Sequence, residues 1–150
     1  MKKNVFLICS LILSGIVSAQ TILKPEIPET RFSVTDYGAS ASALDNTVAI
    51  QKTIDECSAA GGGSVIIPAG TFMCGPIVMK SNINLVLDDG CILKALPYGK
   101  GNGIVEGSYP NNGKPDRYAH LISGKRVQNI KVSGKGVIEG DGSAWWTAFR

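Results

Sequence analysis

The chain has 150 residues with 15 basic and 12 acidic side chains, one histidine and a formal net charge of +3. Its basic residues form no stripe or cluster, which argues against nucleic-acid binding, where positive charge is gathered to neutralise phosphates. The length suffices for one core of ordinary size.

Residues 1–19 read as a secretory signal. Lys2 and Lys3 precede an apolar run from Val5 to Val17, and Val17-Ser18-Ala19 places small residues before Gln20, the pattern of a basic region, a short apolar region and a cleavage site. The run is short for a membrane span of about 20 residues. Cys9 follows the bulky Ile8 and lies too early for a lipid-attachment cysteine. The expectation is a secreted or periplasmic protein with no stable membrane insertion. Without Lys2 and Lys3 the basic side chains fall from 15 to 13, against 12 acidic, so the mature charge is near +1.

Residues 20–30 form a linker rich in Pro and Glu, and residues 31–150 read as part of a single domain. Phe32 and Val34 alternate with polar residues, which predicts a short strand ending at the Asp36-Tyr37-Gly38 turn. The stretch DNTVAIQKTIDECSAAGGG predicts an amphipathic helix. Asp45, Asn46 or Thr47 can cap it; Ile50, Ile54 and Cys57 make one apolar stripe; Gly61-Gly62-Gly63 stops it. Cys57, Cys74 and Cys91 are an odd number and match no CxxC spacing. Each sits among apolar residues and reads as a small buried hydrophobe, not a metal ligand.

After the helix the sequence predicts short strands: SVIIP, PIVMK, NINLVL, CIL, HLI, NIKV and GVIEG. Two stretches resemble each other, SNINLVLDDGCIL (Ser81 to Leu93) and QNIKVSGKGVIEG (Gln128 to Gly140), with a slip of one residue at the glycine. Tight hairpin signals are sparse, and no helix follows each strand, as an ordinary parallel α/β sheet needs. These features predict an all-β solenoid whose coils cover one another's core, with the single helix capping its open N-terminal end. The polar stretch from Tyr98 to Tyr118 reads as a loop protruding from one coil.

Few residues suggest chemistry. Asp88-Asp89 is the only adjacent carboxylate pair, but Gly90 follows at once, and strand neighbours face opposite ways; a turn is expected. His120, flanked by aliphatics, has no partners at catalytic or zinc-binding spacing. Gly61-Gly62-Gly63 and the glycines from Gly99 to Gly103 lack the G-K-[ST] and following helix of a phosphate loop. Trp145-Trp146 could stack on sugar rings, but in an extended stretch the two face opposite ways, so one or both are expected to pack against the coils.

FSVTDYGA, the helix followed by GGGSVIIPAGTF, the Asn-Ile coil and GVIEGDGSAWW together resemble the N-terminal part of pectin-degrading polygalacturonases, glycoside hydrolase family 28. The resemblance runs from about Arg31 to Trp146. Its first half is shared with other right-handed parallel β-helix proteins, including pectate-lyase-like proteins and phage tailspikes. GVIEGDGSAWW is more discriminating, although Glu139 stands where the family usually has Asp and Asp141 where it has Gln. SASALDNT is also poorer in glycine and aspartate than the family's usual approach to the helix.

The resemblance implies a right-handed parallel β-helix and inverting hydrolysis of α-linked galacturonate chains in pectic polysaccharide, with no metal or cofactor and a monomer when complete. The family's catalytic N-x-D, D-D, G-H-G and R-I-K motifs have no counterpart here, Asp88-Asp89 being too early and in the wrong context. No catalytic residue is therefore assigned. The expectation is an inactive front portion whose catalytic coils lie beyond Arg150. A pectate-lyase-like eliminase or a non-catalytic carbohydrate-binding β-helix are the alternatives.

Overall fold

A computed structural model of the chain describes residues 26–97, 120–140 and 142–148. The signal and most of the linker, the stretch from Tyr98 to Tyr118 and Asp141 lie outside the described residues. Strand β1 (Arg31–Ser33) leads into a 3-10 turn (Val34–Tyr37) and helix α1 (Thr47–Ala59). There follow β2 (Gly63–Ile67), β3 (Gly70–Cys74), β4 (Ile77–Val78), β5 (Ile83–Leu87), β6 (Cys91–Ala95), β7 (Ile122–Ser123), β8 (Lys131–Gly134), β9 (Val137–Glu139) and helix α2 (Gly142–Ala148). No helix among the described residues is long and apolar enough to cross a membrane.

From β2 onward consecutive strands join different sheets, and every pairing is parallel. Sheet A has the order β1-β2-β5-β8, sheet B β3-β6-β9 and sheet C β4-β7. The chain thus winds as a parallel solenoid, β2-β3-β4 lying beneath β5-β6-β7 and that coil beneath β8-β9. Gly63 stands beside Ile83 in sheet A and Gly70 beside Cys91 in sheet B. One coil further, Asn84 stands beside Lys131 and Ile92 beside Val137, so the stretch between β6 and β7 lengthens the repeat without breaking its register.

Register places like side chains on top of one another. Val65, Leu85 and Val132 form one inward column, and Phe72, Leu93 and Ile138 another. In the first two coils these residues are buried, together with Ile67, Leu87, Cys74, Cys91, Ile77 and Met79. Each large apolar side chain so buried contributes about 1.5–3 kcal/mol against leaving it in water. α1 adds Ile50, Thr53, Ile54 and Cys57 to the same core, as its stripe predicts. Buried Thr53 satisfies its hydroxyl by donating to the Ala49 carbonyl at 2.8 Å. The last coil is less covered: Val132 is 49% and Ile138 46% exposed.

The Asn-Ile repeat has a backbone reason. Asn82 and Asn129 both adopt left-handed φ, +62° and +53°, which asparagine tolerates better than most residues. They stack with the Asn129 Nδ2 donating to Asn82 Oδ1 at 3.0 Å. The equivalent position one coil earlier is Gly62, where a Cβ would collide with the Asn82 carbonyl. The slip in the repeat is two residues, not one: the turn Asp88-Asp89-Gly90 between β5 and β6 is answered by Lys135 alone between Gly134 and Gly136. That tighter turn lies directly on the coil below. Leu87's carbonyl accepts from the N–H groups of Lys135 and Gly136 at 3.0 and 3.1 Å, and a Cβ on Gly134 would strike that carbonyl.

Four local expectations differ from the structure. β3, in GTFMC, has no aliphatic run to announce it, although Phe72 and Cys74 alternate inward against Thr71 and Met73. Val34 is buried but lies in the 3-10 turn, not in β1. Strands β7 and β8 begin two residues later than HLI and NIKV suggest. Among the described residues α1 is not the only helix: GSAWWTA is helical, not extended. Of the three cap candidates, Asn46 sits at the N-cap position of α1 without a side-chain cap bond, and Asp45 supplies the cap, its Oδ1 accepting from the Thr47 N–H at 2.8 Å and from the Thr47 hydroxyl.

Candidate functional site

The outer face of sheet B carries two rows set by register, Thr71-Ile92-Val137 and Met73-Lys94-Glu139. Lys94 Nζ lies 2.9 Å from Glu139 Oε1, joining two coils. Both side chains keep part of their surface in water, so the pair is worth at most about 1 kcal/mol. Glu139, which replaces the family's usual Asp, is therefore paired with a cation. Sequence reasoning missed Lys94; its only signal is a position one coil below Glu139, visible once the register is known.

A second polar surface lies on sheet A. Ser64, Asn84 and Lys131 stand in register and floor a groove of about 440 Å³, walled by Glu26, Ile27, Pro28 and Glu29. Asn84 holds the floor together: its Oδ1 accepts from the Ser133 hydroxyl at 2.8 Å and its Nδ2 reaches the Ser64 Oγ at 3.5 Å. Hydroxyl, amide and carboxylate groups suit a polyhydroxylated ligand. Two carboxylates against one ammonium disfavour a polyanion in this groove.

The other candidates fall apart from one another. Asp88 and Asp89 form the expected turn, with the Asp88 N–H donating to Ile67 O and the Asp88 carbonyl accepting from the Cys91 N–H, both at 3.0 Å. The Asp89 carboxylate is exposed and lies 3.7 Å from Lys135 Nζ. His120 is exposed just before β7. Gly61-Gly62-Gly63 is the turn from α1 into β2 and presents no phosphate cradle before a helix; Gly99 to Gly103 lie outside the described residues.

Trp146 is 72% exposed on α2, so it is not a packed member of the pair. The reason is the helix, which rotates neighbours by about 100° and carries Trp146 off the coils; the Trp145 side chain lies outside the described set. Cys57, Cys74 and Cys91 are free, buried thiols. Burial, then the charge of Asp45, pushes Cys74 up to about 12. Burial, then Asp88, pushes Cys91 up to about 11; burial also raises Cys57. Such thiols are poor nucleophiles and ligands. No three His, Cys, Asp or Glu side chains gather as a metal site among the described residues.

Residues 31–149 match the family model described as rhamnogalacturonase A/epimerase, pectate lyase-like. Over 139 residues the chain is 32% identical to an exo-poly-alpha-D-galacturonosidase of Dickeya chrysanthemi, covering 86% of this chain and 22% of that protein. Among solved structures it resembles a hyperthermoactive exopolygalacturonase of Thermotoga maritima, with a TM-score of 0.62 and 26% identity over 79% of this chain and 27% of that one. It also resembles a family 28 exopolygalacturonase of Yersinia enterocolitica, with a TM-score of 0.58 and 30% identity over 76% and 21% of the two chains. The chain thus spans roughly a quarter or less of the length of these relatives.

Proposed function

From the premise that the chain belongs to the rhamnogalacturonase A/epimerase, pectate lyase-like family, we propose that it is the N-terminal part of a polygalacturonase-like glycoside hydrolase. The observation carrying this reading is the 32% identity to an exo-poly-alpha-D-galacturonosidase across 86% of the chain. The whole enzyme cleaves α-galacturonosidic bonds in pectic polysaccharide with inversion, as a monomer and without a metal or cofactor. Its catalytic carboxylates belong to coils beyond those described, and the 150-residue chain alone does not turn over substrate. Lys2, Lys3 and the apolar run to Val17 direct it to secretion or to a periplasm.

The solenoid is read as right-handed, the hand that about 98% of parallel crossovers take. α1 is read as its N-terminal cap, since it buries Ile50, Ile54 and Cys57 beneath the first coil. The family description also spans epimerase and lyase chemistry, which keeps an eliminase as the competing reading.

The test uses protein from the complete coding sequence with polygalacturonate. Hydrolysis releases reducing ends, with inverted anomeric configuration by NMR and no rise in ultraviolet absorbance. Reducing ends accompanied by an ultraviolet-absorbing unsaturated product would assign an eliminase. Binding without either would assign a non-catalytic carbohydrate-binding protein, and both results defeat the hydrolase reading.

A further inference from the structure

Alternation in sheet A sends Val65, Leu85 and Val132 toward the core and turns Arg31, Ser64, Asn84 and Lys131 outward as one row. The segment before β1 is anchored beside that row, the Thr30 carbonyl accepting from the Ser64 N–H at 2.7 Å. From there residues 26–29 reach as far as Lys131, two strands further along the sheet, since one groove of about 440 Å³ touches them all. Its size falls within the roughly 300–1,000 Å³ of small-ligand sites.

The polar groups of the groove do not satisfy one another. Among the described residues, no ion pair joins Lys131 to Glu26 or Glu29, although all three line it. Asn84 is fixed in orientation by the Ser133 hydroxyl, which donates to its Oδ1 at 2.8 Å. Its Nδ2 is left with a 3.5 Å approach to Ser64 Oγ, at the outer limit of a hydrogen bond. The floor therefore presents ammonium and amide donors and the wall presents carboxylate acceptors, while Ser64 can do either.

A ligand that satisfies both sides must donate and accept at closely spaced points, as hydroxyls do. A carboxylate only accepts, and would face the like charges of Glu26 and Glu29. An ammonium only donates, and would leave Lys131 and Asn84 Nδ2 unmet. A peptide does both through its main chain, but it adds at the edge of a sheet; this groove lies over a face whose main-chain groups are already in the ladder. Ile27 and Pro28 give the wall an apolar side as well, which matches the C–H face of a sugar ring.

We propose that this groove binds a neutral oligosaccharide, one sugar unit sitting between the wall of Glu26 and Glu29 and the floor of Asn84 and Lys131. The carboxylates accept from its hydroxyls in charge-assisted bonds, and Lys131 and Asn84 Nδ2 donate to its oxygens. The inference is independent of which bond the whole enzyme cleaves. It is also independent of how many coils follow. Coils add along the axis beside β8, whereas the groove opens away from the sheet, so a further strand extends the floor next to Lys131 without lying over it.

The test titrates protein from the complete coding sequence with galactotetraose, xylotetraose and arabinotetraose by calorimetry. At least one should bind the wild type. Glu29→Gln and Lys131→Met, both at exposed positions, should each weaken it roughly tenfold, the gap between charge-assisted and neutral hydrogen bonds, with far-UV circular dichroism unchanged. Galacturonic acid, which has no bond to cleave, should displace the bound tetrasaccharide at least roughly tenfold less well than neutral galactose, having only acceptors to offer at its carboxylate. Failure of all three tetrasaccharides to bind would overturn the proposal, as would binding that both folded variants leave unchanged. Equal displacement by galactose and galacturonic acid would overturn it too, by removing the charge argument.

Discussion

At the start of α1, residue type alone treats Asn46→Asp as neutral, because Asn and Asp are about equally good N-caps. The packing implies otherwise. Asn46 is 1% exposed; its Oδ1 accepts from the Ser40 N–H at 2.8 Å and its Nδ2 donates to the Met73 carbonyl at 3.3 Å. Aspartate keeps the acceptor but turns a second oxygen against that carbonyl, out of contact with water. Desolvation raises the folded-state pKa of a carboxyl group; a rise of about 2 units costs about 2.7 kcal/mol once the group must ionise.

The sign follows from the raised value. Below the unfolded pKa of about 3.9 the acid is neutral in both states, and its O–H can replace the amide donor, so the penalty is small. It grows as pH rises and levels off above the folded pKa. Asn46→Ala instead strands the Ser40 N–H and should cost about 2 kcal/mol at every pH. Urea unfolding followed by far-UV circular dichroism, at about pH 4 and about pH 7.5, measures both variants against wild type through their midpoints at a shared slope. An Asn46→Asp protein as stable as wild type at neutral pH would refute the buried-link reasoning. Equal, pH-independent costs for the two variants would show that desolvation is not the cause.

Leu85→Ala, in the middle of a fully covered column, should cost about 2–5 kcal/mol. Ile138→Ala, on the half-exposed last coil, should cost less than half as much in the same urea assay. Asp55 is held below the usual carboxylate range, chiefly by the hydrogen bond from Lys80, against opposing desolvation. Its contribution is therefore present above the unfolded pKa of about 3.9 and lost as pH falls through the lower folded value. Both side chains are 46% exposed, so Lys80→Met should cost no more than about 1 kcal/mol at neutral pH and nothing in strong acid. Cys57, Cys74 and Cys91 should resist a thiol reagent in the native chain and all react in denaturant; rapid native labelling at Cys74 would contradict its burial.

How far the fold was legible depended on how local each cause was. α1 could be read because Ile50, Ile54 and Cys57 repeat at helical spacing and glycines stop the chain. Strands β2, β5 and β6 could be read from their aliphatic runs between turn residues. β3 could not, since Met73 and Cys74 carry little strand signal and its alternation acquires meaning only beside β6. The helix holding Trp146 was hidden by its aromatic pair, which suits a strand as well as a helix. The resemblance anticipated the family; the paired state of Glu139 and the polar floor of the sheet A groove were beyond it.

By itself the sequence determined the periodic elements, their turns and the coil architecture, because side-chain size, branching and glycine act on the nearest few residues. Tertiary structure alone decided which distant residues meet: Lys94 with Glu139, Asn82 with Asn129. Those pairings depend on the number of residues in each turn of the solenoid. A two-residue change at Lys135, or a long stretch between β6 and β7, alters the sequence distance while the spatial register holds. Strand pairing and core columns constrain that register in space, and no local pattern along the chain records it.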